Sequence, residues 1–162
     1  MQQLPMKQKV AKCVPYLQQA GLLADPPPCE TAPRLTKILT AAGDRVKVAG
    51  DVLAFDDFYT ADDQLEYDEK TFEKRLRKPE DAAEILSKFR EKLVTCEPFE
   101  PEPLEVCLKS FVEEEGIKIG QIIHVLRVAT TGKGVGFGMF DTLAILGRES
   151  SLARIDRALS SV

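Results

Sequence analysis

The chain has one histidine, His124, and four cysteines spaced 16, 67 and 11 residues apart, with no C-x-x-C pair among them. Zinc sites draw on closely paired cysteine and histidine ligands, so this spacing argues against a metal centre. Cys13 and Cys107 fall on apolar helical stripes and are expected to be buried thiols. No apolar run comes near the roughly 20 residues that a bilayer span needs. The opening MQQLPMKQKVAK lacks the uninterrupted apolar core of a signal peptide, which predicts a cytoplasmic setting without a membrane partner. No segment alternates apolar and polar residues as a half-buried strand would, and no hairpin dipeptide joins strand-like runs. Positive charge is not in excess either. Lysine and arginine number 22 against 26 aspartates and glutamates, a net charge of −4 that disfavours phosphate binding over the whole surface.

What is present is a globular composition, 44% apolar and 30% charged over 162 residues, enough for one domain or two small ones. The charge is unevenly placed. Residues 1–50 carry a net +4, residues 51–96 a net −5, residues 97–115 a net −6 and residues 116–162 a net +3. Basic ends around an acidic middle allow local contact with phosphates while the rest faces solvent or a partner protein.

Helical spacing dominates. Val10, Cys13, Val14 and Leu17 recur at one helical face, as do Leu104, Cys107, Leu108 and Phe111, and Ile119, Ile122, Ile123 and Leu126. Ala82, Ile85, Leu86, Phe89 and Leu93 follow the same rule, while Val48, Val52, Phe55 and Tyr59 give a looser stripe. The fold class read from this is all-α. Gly21 and Gly43 end early helices, Pro26-Pro27-Pro28 forms a stiff connector, and Pro79 suits the first turn of a new helix. Gly116, Gly132 and Gly147 stand where helix C-caps are expected. Two breaks compete as a subdomain seam: the polar run 60–64 and the proline-rich run 97–103.

Between Arg127 and Met139 four glycines occur in seven positions, at 132, 134, 136 and 138. Such a backbone tolerates positive φ and close approach of a ligand, and Arg127 and Lys133 bracket it with positive charge. GKGVGFG is not a nucleotide-binding P-loop, because G-x-x-x-x-G-K-[ST] is absent and no strand precedes it. Phe137 offers a face on which an unpaired base would stack, worth about 1–3 kcal/mol per base. The plain reading of Arg127 is a solvated side chain near the last carbonyls of its helix. The functional reading uses its planar donor fork on a phosphate or a base edge. His124, flanked by Ile122, Ile123, Val125 and Leu126, is expected to be a packing residue. Glu113-Glu114-Glu115 is expected to be a solvated helix end, and Asp56-Asp57 and Asp62-Asp63 to repel phosphate and face away from it.

The pieces LRVATTG, GMFDTL, AILGRES and LARIDRAL, in that order, resemble the extreme C-terminal end of bacterial glutamyl-tRNA synthetase. That family shows an arginine-bearing helix, an A-x-T-G stop, a loop with a Leu-Phe pair, and a Leu-Leu-Gly-Lys/Arg-Glu turn into the final helix. Upstream, DRVKVAGDVLAFDDFY and LEYDEK resemble the family's preceding helical segment and its junction. The resemblance runs from about Tyr16 to Leu159.

It implies a multi-helix anticodon-binding bundle of two adjoining helical subdomains, 1–60 and 61–162, with the seam near residue 60 rather than near 100. It implies that Arg127 contacts the anticodon and that Arg45 discriminates its third base, separating glutamate from glutamine tRNA. Lys47 falls where the family tends to be basic and would meet phosphate. Lys133, Gly136, Phe137 and Met139 belong to the loop expected to read the anticodon. Where the family often has proline, this chain has Gly136-Phe137-Gly138, a looser backbone, and Val125 replaces another common proline. The implied partners are the anticodon loop of glutamate-accepting tRNA and a catalytic domain of the same synthetase, with no DNA. The family's HIGH-like and KMSKS-like motifs are absent, so ATP and magnesium are expected to serve a catalytic domain outside this chain, which itself needs no cofactor. The competing reading is a helical protein-interaction module that keeps the fold without binding RNA, favoured by the acidic middle and the altered glycine loop. A small hydrolase is set aside for want of a nucleophile, base and acid in company.

Overall fold

The computed structural model describes residues 3–29, 31–60, 62–134 and 138–162. All regular structure among them is helical. The chain forms two compact units, Met1–Thr60 and Ala61–Val162.

In the first unit, α1 (Met6–Gln19) buries Val10, Cys13 and Leu17. Beyond it Gly21 turns at φ 78°, and the amides of Leu22 and Leu23 both donate to the Leu17 carbonyl. Helix α2 (Thr31–Ala42) sets Leu35, Ile38, Leu39 and Ala42 inward. A short 3-10 turn, Gly43–Arg45, then leads to extended Val46 and a longer 3-10 segment, Ala49–Phe58, which packs on α1. Arg45 closes the short turn. One expectation is corrected here. The stripe through Val48 and Tyr59 fails because a 3-10 segment has three residues per turn: Val48 is 60% exposed, and Val52, Asp57 and Phe58 point inward. Asp57 is therefore buried, while Asp56 is exposed.

The second unit begins with α3 (Glu69–Phe72), which runs into a wider π turn, Glu73–Arg77, closed by a 2.8 Å bond from the Lys78 amide to the Glu73 carbonyl. Then come α4 (Ala82–Thr95), α5 (Pro101–Glu115), α6 (Ile119–Thr131) and α7 (Met139–Ser161). Pro79 sits before α4, with Asp81 as its N-cap, while Pro101 takes the first position of α5. The proline-rich run thus spends its second half inside a helix, where an early proline forfeits no hydrogen bond. Gly116 and Gly132 cap α5 and α6 in the left-handed conformation. Gly147, at φ 83° and ψ 164°, breaks α7 into two stretches, 139–146 and 148–161.

The core of this unit gathers Phe72, Leu76, Leu86, Phe89, Leu104, Phe111, Leu126, Leu143 and Ile155, among others. The Phe89 and Phe111 rings meet at 5.2 Å between α4 and α5. Lys88–Glu115 and Lys92–Glu114 pairs join the same helices at the surface. Glu114 and Glu115 are therefore salt-bridged, more than a solvated end. Exposed pairs contribute about 0–1 kcal/mol each and a buried phenylalanine about 1.5–3 kcal/mol, so the rings hold this seam. Cys13 is fully buried as expected, but Cys107 is only half-buried. His124 corrects its expectation outright: it is exposed, because Ile122, Val125, Leu126 and Ala129 define the inward face of α6 and leave it outside. No described helix is long and apolar enough to cross a membrane.

Candidate nucleic-acid interface

In the first unit the sequence places Arg45 and Lys47 two apart, and the backbone between them is extended at Val46. Val46 is 5% exposed, so it anchors the strand to the core while its neighbours on either side are exposed. Alternation along an extended segment puts Arg45 and Lys47 on the same outward side. The segment is held from below by Asp51, whose Oδ2 accepts from the amides of Lys47 at 2.8 Å and Val48 at 3.0 Å. The Val48 and Lys47 amides hold the Asp51 carboxyl below the usual aspartate range, because both donate to its charged form. The pair of cations thus projects from a backbone fixed by a carboxylate and a buried valine.

In the second unit, Arg127 lies half-buried one turn from the end of α6. Helix ends leave carbonyls without partners, and side-chain hydroxyls and the glycine cap gather at the end of this one. The Thr130 hydroxyl donates to the Leu126 carbonyl at 2.8 Å and the Thr131 hydroxyl to the Arg127 carbonyl at 2.8 Å. The Gly132 amide donates to Val128, also at 2.8 Å. The Thr131 hydroxyl oxygen accepts from the Lys133 amide at 3.3 Å, so the stop residues steer the first part of the loop. This gives the Thr-Thr-Gly stop its role: the hydroxyls fold back onto the helix and the left-handed glycine ends it and turns the chain.

The loop is also clasped from outside. The Asp68 amide donates to the Gly132 carbonyl at 2.7 Å. A Cβ at position 132 would lie 2.0 Å from the Glu66 carbonyl oxygen, and one at 134 would lie 3.1 Å from Thr71 Cγ2. Thus ATTG and YDEK, far apart in sequence, are the two sides of one clasp. Lys133 between them is exposed. The strap 62–68 is in turn gripped by α7. Arg154, 1% exposed, donates from Nε to Asp62 Oδ1 at 2.7 Å and from a terminal nitrogen to the Thr130 carbonyl at 2.8 Å. Arg157 donates to the Leu65 carbonyl and stacks over Tyr67, 5.1 Å from its centroid. The basic residues of LARIDRAL are thereby structural. The sequence reading missed this, since nothing local distinguishes a buried arginine from a solvated one.

Met139 is corrected as a loop contact: it is 3% exposed and packs in the core just after the N-cap Gly138. Gly136 and Phe137 lie outside the described residues. Among the described residues no group of three histidine, cysteine, aspartate or glutamate side chains could hold a metal ion.

These features define a helical protein that offers cations on fixed backbone at two places. The chain matches the anticodon-binding domain family over residues 8–159 and belongs to it. Its similarity is to glutamate–tRNA ligases in particular. It is 38% identical to that of Moorella thermoacetica over 146 residues, which is 90% of this chain and 29% of that protein. It is 34% identical to that of Desulforudis audaxviator over 162 residues, 97% of this chain and 31% of that protein. The chain therefore spans about three tenths of the length of these relatives. The fold is that of the crystal structure of a glutamate tRNA ligase from Elizabethkingia meningosepticum, with a TM-score of 0.83 at 18% identity, covering 98% of this chain and 30% of that one.

Proposed function

We propose that the chain is the anticodon-binding part of a glutamate–tRNA ligase, selecting glutamate-accepting tRNA for aminoacylation by a catalytic domain of the same protein. ATP and magnesium would be used there, in the cytoplasm, and DNA would not be a partner. The observation that carries the reading is the family match across residues 8–159. The pinned Arg45-Val46-Lys47 segment and the clasped loop after Arg127 supply the chemistry. Arg45, with its planar donor fork, reads a base edge, and Lys47 beside it meets phosphate. Arg127 and Lys133 present positive charge at the loop that receives the unstacked anticodon bases.

The test is aminoacylation by the full-length ligase on transcripts differing only in the third anticodon base. Arg45→Gln should relax the preference between them, since a bidentate contact discriminates by about 1–3 kcal/mol. Glutamate activation should persist. An unchanged preference would remove Arg45 from the reading. An isolated chain that shifts neither glutamate tRNA nor an unrelated tRNA would instead fit the helical interaction module.

A further inference from the structure

Several described cations of the second unit are committed to acidic partners. Arg77 pairs with Glu73, Lys88 with Glu84 and Glu115, Arg90 with Asp156, Lys92 with Glu114, Lys109 with Glu105, and Arg148 with Glu97. Lys74 and Arg75 share with Lys70, Lys78 and Lys118 the lack of such a pair, and are set apart by their position. They sit on the π turn Glu73–Arg77, neither has an ion pair among the described residues, and the turn packs against α6. Phe72 and Leu76 face the core on either side of them, 2% and 1% exposed, which fixes the turn and leaves Lys74 exposed and Arg75 half-buried. On α6, His124 is exposed and Arg127 half-buried one helical step away. The packing of the π turn on α6 brings these two groups of residues together, and burial first, then the charges of Arg75, Arg127 and Lys74, hold the His124 imidazole below its usual pKa. Cations gathered from two elements repel one another, and a polyanion relieves that repulsion.

We infer that Lys74, Arg75 and Arg127, with His124 among them, form a phosphate-binding surface that grips the sugar–phosphate backbone of RNA beside the bases read elsewhere. The inference rests on the proposed function and adds Lys74 and Arg75 to the binding surface. Such contacts position the RNA and carry no sequence information. They differ in kind from the Arg45 contact, which reads a base.

The experiment measures binding of the 162-residue chain to glutamate tRNA as salt is raised, for the parent, Lys74→Ala/Arg75→Ala, Arg45→Gln, and a control of equal charge loss, Lys92→Ala/Lys109→Ala. Losing two phosphate contacts should lower the slope of log affinity against log salt by about 2, so the deficit grows about fourfold with each halving of salt. The loss should be equal on transcripts with altered anticodons, and the control should match the parent. A parent that does not bind tRNA overturns the functional reading and this surface together. Parent binding with loss in Arg45→Gln but none in Lys74→Ala/Arg75→Ala overturns the surface alone, as does a control that loses as much as the test variant. The chain's one histidine gives an independent reading by NMR. Removing Lys74 and Arg75 should raise the imidazole pKa in the free protein, because fewer cations oppose its charging. Adding tRNA to the parent should raise it too, and an imidazole that titrates identically with and without tRNA counts against contact.

Discussion

Replacing Gly132 with alanine tests the clasp between the loop and the strap. Gly132 has φ 75°, and the added Cβ would lie 2.0 Å from the Glu66 carbonyl oxygen. That neighbour is backbone, so no side-chain rotation relieves the overlap. Gly116 provides the comparison, at φ 64° with nothing within 4 Å of its Cβ position. Gly116→Ala should lose only the conformational preference, about 1–2 kcal/mol. Gly132→Ala loses that and the Asp68–Gly132 hydrogen bond, about 1 kcal/mol, and adds an overpacking cost of about 1–3 kcal/mol. The total, about 3–6 kcal/mol, is a large part of the 5–15 kcal/mol that typically stabilises a domain. Urea unfolding followed by far-ultraviolet circular dichroism measures both variants, and the excess for Gly132→Ala should be about 2–4 kcal/mol. Equal costs would show that the strap does not press on the loop and would refute the argument.

Arg154→Met should destabilise the second unit by about 3 kcal/mol in urea, because the Thr130 carbonyl and Asp62 lose a buried donor; a cost below about 1 kcal/mol would place Arg154 outside the grip. Asp51→Asn should weaken the first unit at neutral pH. The folded pKa of Asp51 lies below its ordinary 3.8, so its stabilisation is present above that value and fades as pH falls through the folded pKa. Parent and variant stabilities should therefore converge in strong acid. Burial pushes the Tyr59 phenol up to about 12, so its share of stability is intact below about pH 10 and is lost between there and about 12. Ultraviolet titration should show at least one tyrosine that stays un-ionised at pH 11 until the protein unfolds, and Tyr59→Phe should remove it.

The helical periodicity was legible because a 3.6-residue repeat writes the core directly into the apolar positions, as with Ile85, Leu86, Phe89 and Leu93. It failed at Val48–Tyr59, where a 3-10 segment imposes a different repeat. It also misplaced His124: apolar neighbours in sequence are not neighbours on a helix, where successive residues point about 100° apart. Arg45, Lys47, Arg127 and Lys133 could be singled out by type and by resemblance. What makes each place rigid could not. The Asp51 brace, the strap at 62–68 and the arginines that grip it depend on partners up to 92 residues apart. Lys74 and Arg75 were hidden by counting charge in blocks, since their segment is acidic in sum.

The two arginine contacts from α7 to the strap each span 92 residues of sequence. Closing a loop that long costs about 2 kcal/mol more entropy than closing one of about ten residues. The helices whose contacts are local can assemble before that closure, and the strap is then set in place late. Because the strap presses on Gly132, the order of the loop that carries Lys133 is inherited from among the last contacts to form. Hydrogen exchange should find amides 62–68 and 132–134 opening together, well before the amides buried in α4 and α6, so that the proposed RNA-binding surface loosens as one piece while the bundle beneath it stays folded.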